Sequence, residues 1–101
     1  EKNFRMGPFH VDLNAQRVFK HKQELHLRRK EFELLSLLMS HQGKVVGRAD
    51  LFDQIWGFNY LGDTRSLDVH IRLLRKKVEQ NPSKPRYIQT VRGVGYRFRV
   101  V

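Results

Sequence analysis

Apolar positions along this chain change period three times. Between residues 4 and 27 apolar and polar side chains alternate in short runs: Phe9-His10-Val11-Asp12-Leu13, Arg17-Val18-Phe19-Lys20 and Glu24-Leu25-His26-Leu27. The runs break at Gly7-Pro8, Asn14-Ala15 and His21-Lys22-Gln23. A period of two bounded by turn-forming residues predicts strands, so this part reads as a small antiparallel meander. The period then becomes helical. Residues 31–41 carry Phe32, Leu34, Leu35, Leu37, Leu38 and Met39 with little polar surface between them, which predicts a central helix ended by Gly43. A second helix is predicted over 48–56, where Leu51 and Ile55, and Phe52 and Trp56, stand four apart; Gly57 stops it. The third is predicted over 64–80, with Asp63 or Thr64 as cap and Asn81-Pro82 as terminator. Alternation returns over 87–91 and 94–100, around Arg92-Gly93, which predicts a hairpin. The order is sheet, three helices, hairpin, without an internal repeat.

Length and charge narrow what such an α+β unit does. A chain of 101 residues fits one domain with one modest core. Its net charge of +10, from 20 Lys and Arg against 10 Asp and Glu, suits a polyanionic partner, nucleic acid first. A membrane surface is the rival partner, but the chain has no lipid-anchor motif, no strongly amphipathic basic helix and no apolar run of spanning length. Without a secretory signal the expected location is the cytoplasm. Zero cysteines exclude disulfides and thiolate zinc sites. A first residue of Glu1 rather than Met leads us to expect a fragment of a longer protein.

Placed on a helical wheel of about 100° per residue, the third helix divides cleanly. Leu67, Ile71, Leu74 and Val78 form one stripe, which should be buried. Opposite, around Val69 and Lys76, lie Arg65, Ser66, Arg72 and Leu73. Cations mixed with small and apolar groups suit the major groove of B-DNA, which admits one helix and offers phosphates on its rims and thymine methyls among its base edges. Arg65, Arg72, Arg75, Lys76 and Lys77 are candidates for phosphate or guanine, and Val69 and Leu73 for thymine methyls. At the hairpin tip Arg92, beside Gly93 and Gly95, suits a minor-groove probe. Arg97 and Arg99 should face away from Tyr96 and Phe98. Thr90 and the Trp56 indole are further candidate phosphate donors, although Trp56, at helical spacing from Phe52, also suits the core. Asp68 is expected to pair with Arg72 four residues on.

The run from Asp63-Thr64-Arg65-Ser66-Leu67-Asp68-Val69-His70-Ile71-Arg72 to Lys77, followed by Thr90-Val91-Arg92-Gly93-Val94-Gly95-Tyr96-Arg97-Phe98, strongly resembles the C-terminal effector domain of OmpR/PhoB-type response regulators. Glu31-Phe32-Glu33-Leu34-Leu35 and Ile55-Trp56-Gly57 extend the likeness over nearly the whole chain. The resemblance implies a winged helix-turn-helix fold: an N-terminal four-stranded antiparallel sheet, three helices and a C-terminal β-hairpin wing. It implies sequence-specific binding of double-stranded DNA and transcription regulation, as the output of a two-component system. By position it makes Arg65, His70, Arg72, Arg75, Thr90 and Trp56 phosphate contacts, and Arg92 the minor-groove arginine. It implies that Phe58, Asn59, Tyr60, Leu61 and Gly62 form a loop that touches RNA polymerase. It implies an N-terminal receiver domain served by a sensor kinase, and direct DNA repeats bound head to tail by two copies of a domain that is monomeric alone. No cofactor and no metal are implied.

Two departures from the family pattern stand out. Leu73 replaces a base-reading arginine, which should shift preference at that position toward thymine. Arg28-Arg29-Lys30 stands where a threonine cap and a proline are usual, and cations there oppose the helix dipole and cap nothing. The cost is expected to be tolerated, the alternative being relief by a nearby phosphate.

Other classes fit less well. The Arg92 to Phe98 run looks like an RNA-recognition motif, but Val94 and Arg97 stand where aromatic and apolar residues are needed, and the strand-helix-strand units are missing. The five histidines, His10, His21, His26, His41 and His70, lack ligand spacing, and no triad is recognisable, so an enzyme is not expected. A module that docks an acidic protein would differ from a DNA reader by its competition behaviour.

Overall fold

The computed structural model describes residues 2–57 and 62–100. Phe58, Asn59, Tyr60 and Leu61, most of the expected polymerase-contact loop, lie outside the described residues; Gly62 is exposed at their edge. The chain opens with four strands, β1 (Asn3–Met6), β2 (Phe9–Asp12), β3 (Arg17–Lys20) and β4 (Gln23–Leu25). They pair in sequence order as an antiparallel sheet, with Val11 opposite Val18 and Val18 opposite Leu25. The alternation does what it predicted: Phe9, Val11 and Val18 face the core, while the other face carries His10 stacked on Phe19 and Arg17 paired with Glu24.

Three helices follow, α1 (Arg29–Ser40), α2 (Arg48–Trp56) and α3 (Arg65–Val78). Leu34, Leu35 and Leu38 of α1 are fully buried, as befits the helix around which the others pack. Its N-terminus solves its capping problem in a way the sequence reading did not anticipate. Arg28 has no side-chain acceptor, but the Glu31 carboxylate reaches back to take the Arg28 N–H at 2.8 Å, half of a capping box. The same oxygen accepts from Lys77 Nζ on α3 at 2.6 Å, so a carboxylate only 1% exposed is compensated from two elements. Burial pushes the Glu31 carboxyl up, and the bonds from Lys77 and Arg28 outweigh it, leaving the group below its ordinary pKa.

The hairpin, β6 (Ile88–Val91) and β7 (Gly95–Phe98), belongs to a three-stranded sheet of order β5-β7-β6. The added strand, β5 (Val45–Gly47), was not anticipated. It lies so close to β7 that a Cβ on Gly95 would collide with the Val46 carbonyl, so glycine is the residue that admits it. At the other end α3 stops at Val78, two residues short of expectation. Glu79 turns extended (φ −88°, ψ 143°) and, 6% exposed, accepts from the backbone N–H groups of Arg86, Tyr87 and Ile88. One buried carboxylate thus ends a helix and starts the wing strand.

Candidate nucleic-acid interface

The buried stripe of α3 is the expected one: Leu67, Ile71, Leu74 and Val78 are each 1% exposed or less. Its start is set by Asp63, whose Oδ1 accepts the Arg65 N–H at 2.8 Å while Oδ2 takes Arg65 Nε at 2.7 Å; Thr64 makes no side-chain cap. The Arg65 guanidinium and N–H hold the Asp63 carboxyl below its ordinary pKa. On the outer face Val69 is 43% exposed, Arg72 and Lys76 are exposed, and Ser66 and Leu73 are half-buried. Among the described residues neither Arg72 nor Lys76 has an ion-pair partner. The outer face of α3 thus sets an exposed apolar side chain beside cations that have no ion-pair partner among the described residues.

Three sequence assignments are revised by their partners. Asp68 does not pair with Arg72. Its Oδ2 accepts from Arg48 Nη2 of α2 at 2.7 Å, and its Oδ1 from the Tyr96 hydroxyl of β7 at 2.6 Å. Burial raises the Asp68 carboxyl, but Tyr96 and Arg48 together bring it below its ordinary pKa; burial and the bond to Asp68 push the Tyr96 phenol up. Arg75 is not a free cation either. Its Nε donates to the Ile88 carbonyl at 3.0 Å and its Nη2 to Thr90 Oγ1 at 2.7 Å, over the Tyr96 ring. Burial lowers its pKa. Thr90 is exposed, and having accepted from Arg75 it keeps its own O–H to donate. Lys77 is committed to Glu31 and does not face the groove-like surface with Val69.

His70 and Trp56 sit together at one flank. The His70 ring bonds to the Ser66 carbonyl through Nδ1 at 2.8 Å, and since a carbonyl only accepts, Nδ1 carries the proton. Its ring centroid lies 5.1 Å from that of Trp56, the planes near perpendicular, and Trp56 is half-buried and stacked on Phe52. At the other flank stands the wing. Val94 N–H closes the tip on the Val91 carbonyl at 3.0 Å, with Gly93 at φ 77°. Arg92, Gly93 and Val94 are exposed, and Arg92 has no partner among the described residues. Behind the tip Arg97 faces outward, held by Gln89 at 2.9 Å, with Tyr96 and Phe98 on the buried face, as alternation requires. The sequence signals for the missed contacts were weak. A buried phenol needs a partner but does not name it, and Glu31 occupies the third position after the cap without the usual Ser or Thr.

A helix-turn-helix of α2 and α3 with a β-hairpin beside the outer face of α3 is a winged helix-turn-helix domain. Comparison with known proteins carries this further. The sequence model of the family described as "Transcriptional regulatory protein, C terminal" matches residues 22–98. The chain belongs to that family, the OmpR/PhoB-type C-terminal DNA-binding domains. It is 43% identical over 92 residues to the sensory transduction protein RegX3 of Mycolicibacterium smegmatis, covering 91% of this chain and 40% of the relative. It is 52% identical over 82 residues to the alkaline phosphatase synthesis transcriptional regulatory protein SphR of Synechococcus elongatus, covering 81% and 32%. The chain therefore spans two fifths or less of these relatives. Among solved structures, the Thermotoga maritima response regulator DrrB, an OmpR/PhoB homologue, superimposes with a TM-score of 0.90 at 36% identity, over 99% of this chain and 45% of that one. The Klebsiella pneumoniae RstA DNA-binding domain, solved in complex with the RstA box, does so with a TM-score of 0.89 at 33% identity, over 98% of each.

Proposed function

We propose that this domain binds double-stranded DNA sequence-specifically as the output unit of a two-component response regulator, with α3 in the major groove and Arg92 in the adjacent minor groove. The observation that carries the reading is the outward face of α3, Val69, Arg72, Leu73 and Lys76, together with the exposed Arg92 and Val94 of the hairpin tip, with no ion-pair partner for Arg72, Lys76 or Arg92 among the described residues. Arg65, Ser66, His70, Trp56 and Thr90 supply the phosphate contacts around it, and Leu73 favours thymine. Arg75 serves by aiming Thr90, and Lys77 by holding α1 to α3. The RstA domain bound to its box supports this use of the shared fold.

The rest of the functional reading follows the family. A receiver domain in the same parent chain takes phosphate from a sensor kinase, the loop Phe58 to Gly62 meets RNA polymerase, and two copies bind direct repeats in the cytoplasm. The role is recognition rather than catalysis.

The test is selection of bound sites from random duplex DNA, then titration of the selected and a scrambled duplex across salt concentrations. With roughly five phosphates neutralised, log affinity should fall against log salt with a slope of about −4.5, and the selected duplex should bind the tighter. A slope near zero, or equal affinity for both duplexes, overturns the reading.

A further inference from the structure

The corner beside the flank of α3 away from the wing carries one cation with no ion pair and no side-chain hydrogen bond among the described residues. Taking Val69 as the centre of the outer face, Leu73, Ser66, Lys77 and His70 follow on one side at about 40° to 100°, and Arg65, Arg72, Asp68 and Arg75 on the other. The second side leads to the wing through Asp68–Tyr96 and Arg75–Thr90. The first leads to the start of α1, because the Glu31 oxygen that binds Lys77 also binds the Arg28 N–H. It leads there by a second route as well: His70 touches Trp56, and Lys30 lies over the Trp56 ring while bonding the Ile55 carbonyl at 2.7 Å.

The cations at this corner are accounted for one by one. Lys77 is held by Glu31, Lys30 by the end of α2, and Arg29 by Glu33 at 3.1 Å. Arg28 is exposed and without a side-chain partner among the described residues. It stands at the positive end of α1, where the helix dipole disfavours it. Glu31 caps the turn beneath it through the backbone, so the Arg28 guanidinium acts on that carboxylate through its charge alone and its N–H donors are left for another acceptor.

We propose that Arg28 is a phosphate anchor on the rim of the major groove opposite the wing, and that it widens the contact of this domain with the DNA backbone. A helix of about 10–12 Å diameter fills a groove about 12 Å wide, so each flank of α3 faces one phosphate rim. One rim meets Arg65 and Arg72; the other meets His70, Trp56 and Arg28. A phosphate there neutralises Arg28 and is itself favoured by the end of α1. The proposal rests on the DNA-binding reading above.

The experiment compares the full 101-residue chain with Arg28→Gln on the selected duplex and on a scrambled duplex of the same length. Losing one phosphate contact should make the salt slope shallower by about 0.9 and weaken binding about fivefold at physiological salt, equally on both duplexes. Phosphate-ethylation interference should lose one signal, on the strand opposite that contacted by the wing. The melting temperature should hold, since relief at the positive end of the helix offsets the lost attraction between Arg28 and Glu31. An unchanged slope and interference pattern overturns the anchor, as does a fall in melting temperature without a change of slope, which assigns Arg28 to stability alone. If the wild-type chain shows no salt-dependent binding, the DNA-binding reading itself fails; if it binds as expected and Arg28→Gln binds identically, only the anchor fails.

Discussion

The two sheets of this domain are built in opposite ways. The N-terminal sheet takes its strands in sequence order, each joined to the next by a short turn, and buries Phe9, Val11 and Val18 beneath a polar outer face. The wing sheet takes β5 from before α2 and β6 and β7 from after α3. It is held by contacts that cross the fold: Gly95 against Val46, Glu79 on three backbone amides, Tyr96 on Asp68, and Arg75 on Ile88 and Thr90. The pairing of the first sheet is local in sequence, although its buried face packs on the second through Phe9 against Tyr87 and Phe98. The pairing of the second spans the helices and is tied to α3 by side chains, so α3 and the wing are positioned together.

Glu79→Ala should separate the two sheets most sharply. It strips the acceptor from three N–H groups, and with each buried orphan worth about 1–3 kcal/mol the domain should lose about 3 kcal/mol. Hydrogen exchange should speed in β6 while β2 and β3 stay protected; uniform loss across both sheets would show that they are one cooperative unit. Arg92→Ala should weaken binding of the selected duplex by about 1–3 kcal/mol and leave the melting temperature alone. Equal weakening on random DNA would make Arg92 a phosphate contact only.

Asp68→Asn should cost about 0.5–1 kcal/mol, a figure kept small because the side chain is 44% exposed. The carboxyl has its pKa lowered in the folded state, so its contribution is present above the ordinary aspartate value near 3.9 and is lost as pH falls through the folded pKa. The variant should lack that acid-dependent loss; parallel stability curves for the two proteins below pH 4 would refute the link. The smallest effect is a gain. Lys22 holds φ 67° in the β3–β4 turn, a region glycine enters freely, so Lys22→Gly should stabilise the N-terminal sheet by about 0.5 kcal/mol without altering DNA binding.

What could be read from the sequence follows the same division. The N-terminal strands, the three helices and the buried stripe of α3 were legible because each is a local period. Strand β5 was not: it has three residues and one buried side chain, Val46, and exists because Gly95 lets it approach. The wheel of α3 placed Val69, Arg72 and Lys76 outward as found. For Asp68, Arg75 and Lys77 it named the helix face but not the partner, because Tyr96, Thr90 and Glu31 lie on other elements. The end of α3 was misjudged for a related reason. Asn81-Pro82 is a local stop, but Glu79 turns earlier to reach amides seven to nine residues on.

The short bond between the Tyr96 phenol and Asp68 makes the recognition helix and the wing the two jaws of a fixed caliper. With Arg48 bracing the carboxylate from α2, their separation is a property of the protein before any duplex arrives. Under the proposed function, adjustment then falls on the DNA, whose bending costs about 1–6 kcal/mol over a site of 20–30 base pairs. Sequences that already present their grooves at that spacing, or yield to it easily, would be preferred even at base pairs that no side chain touches.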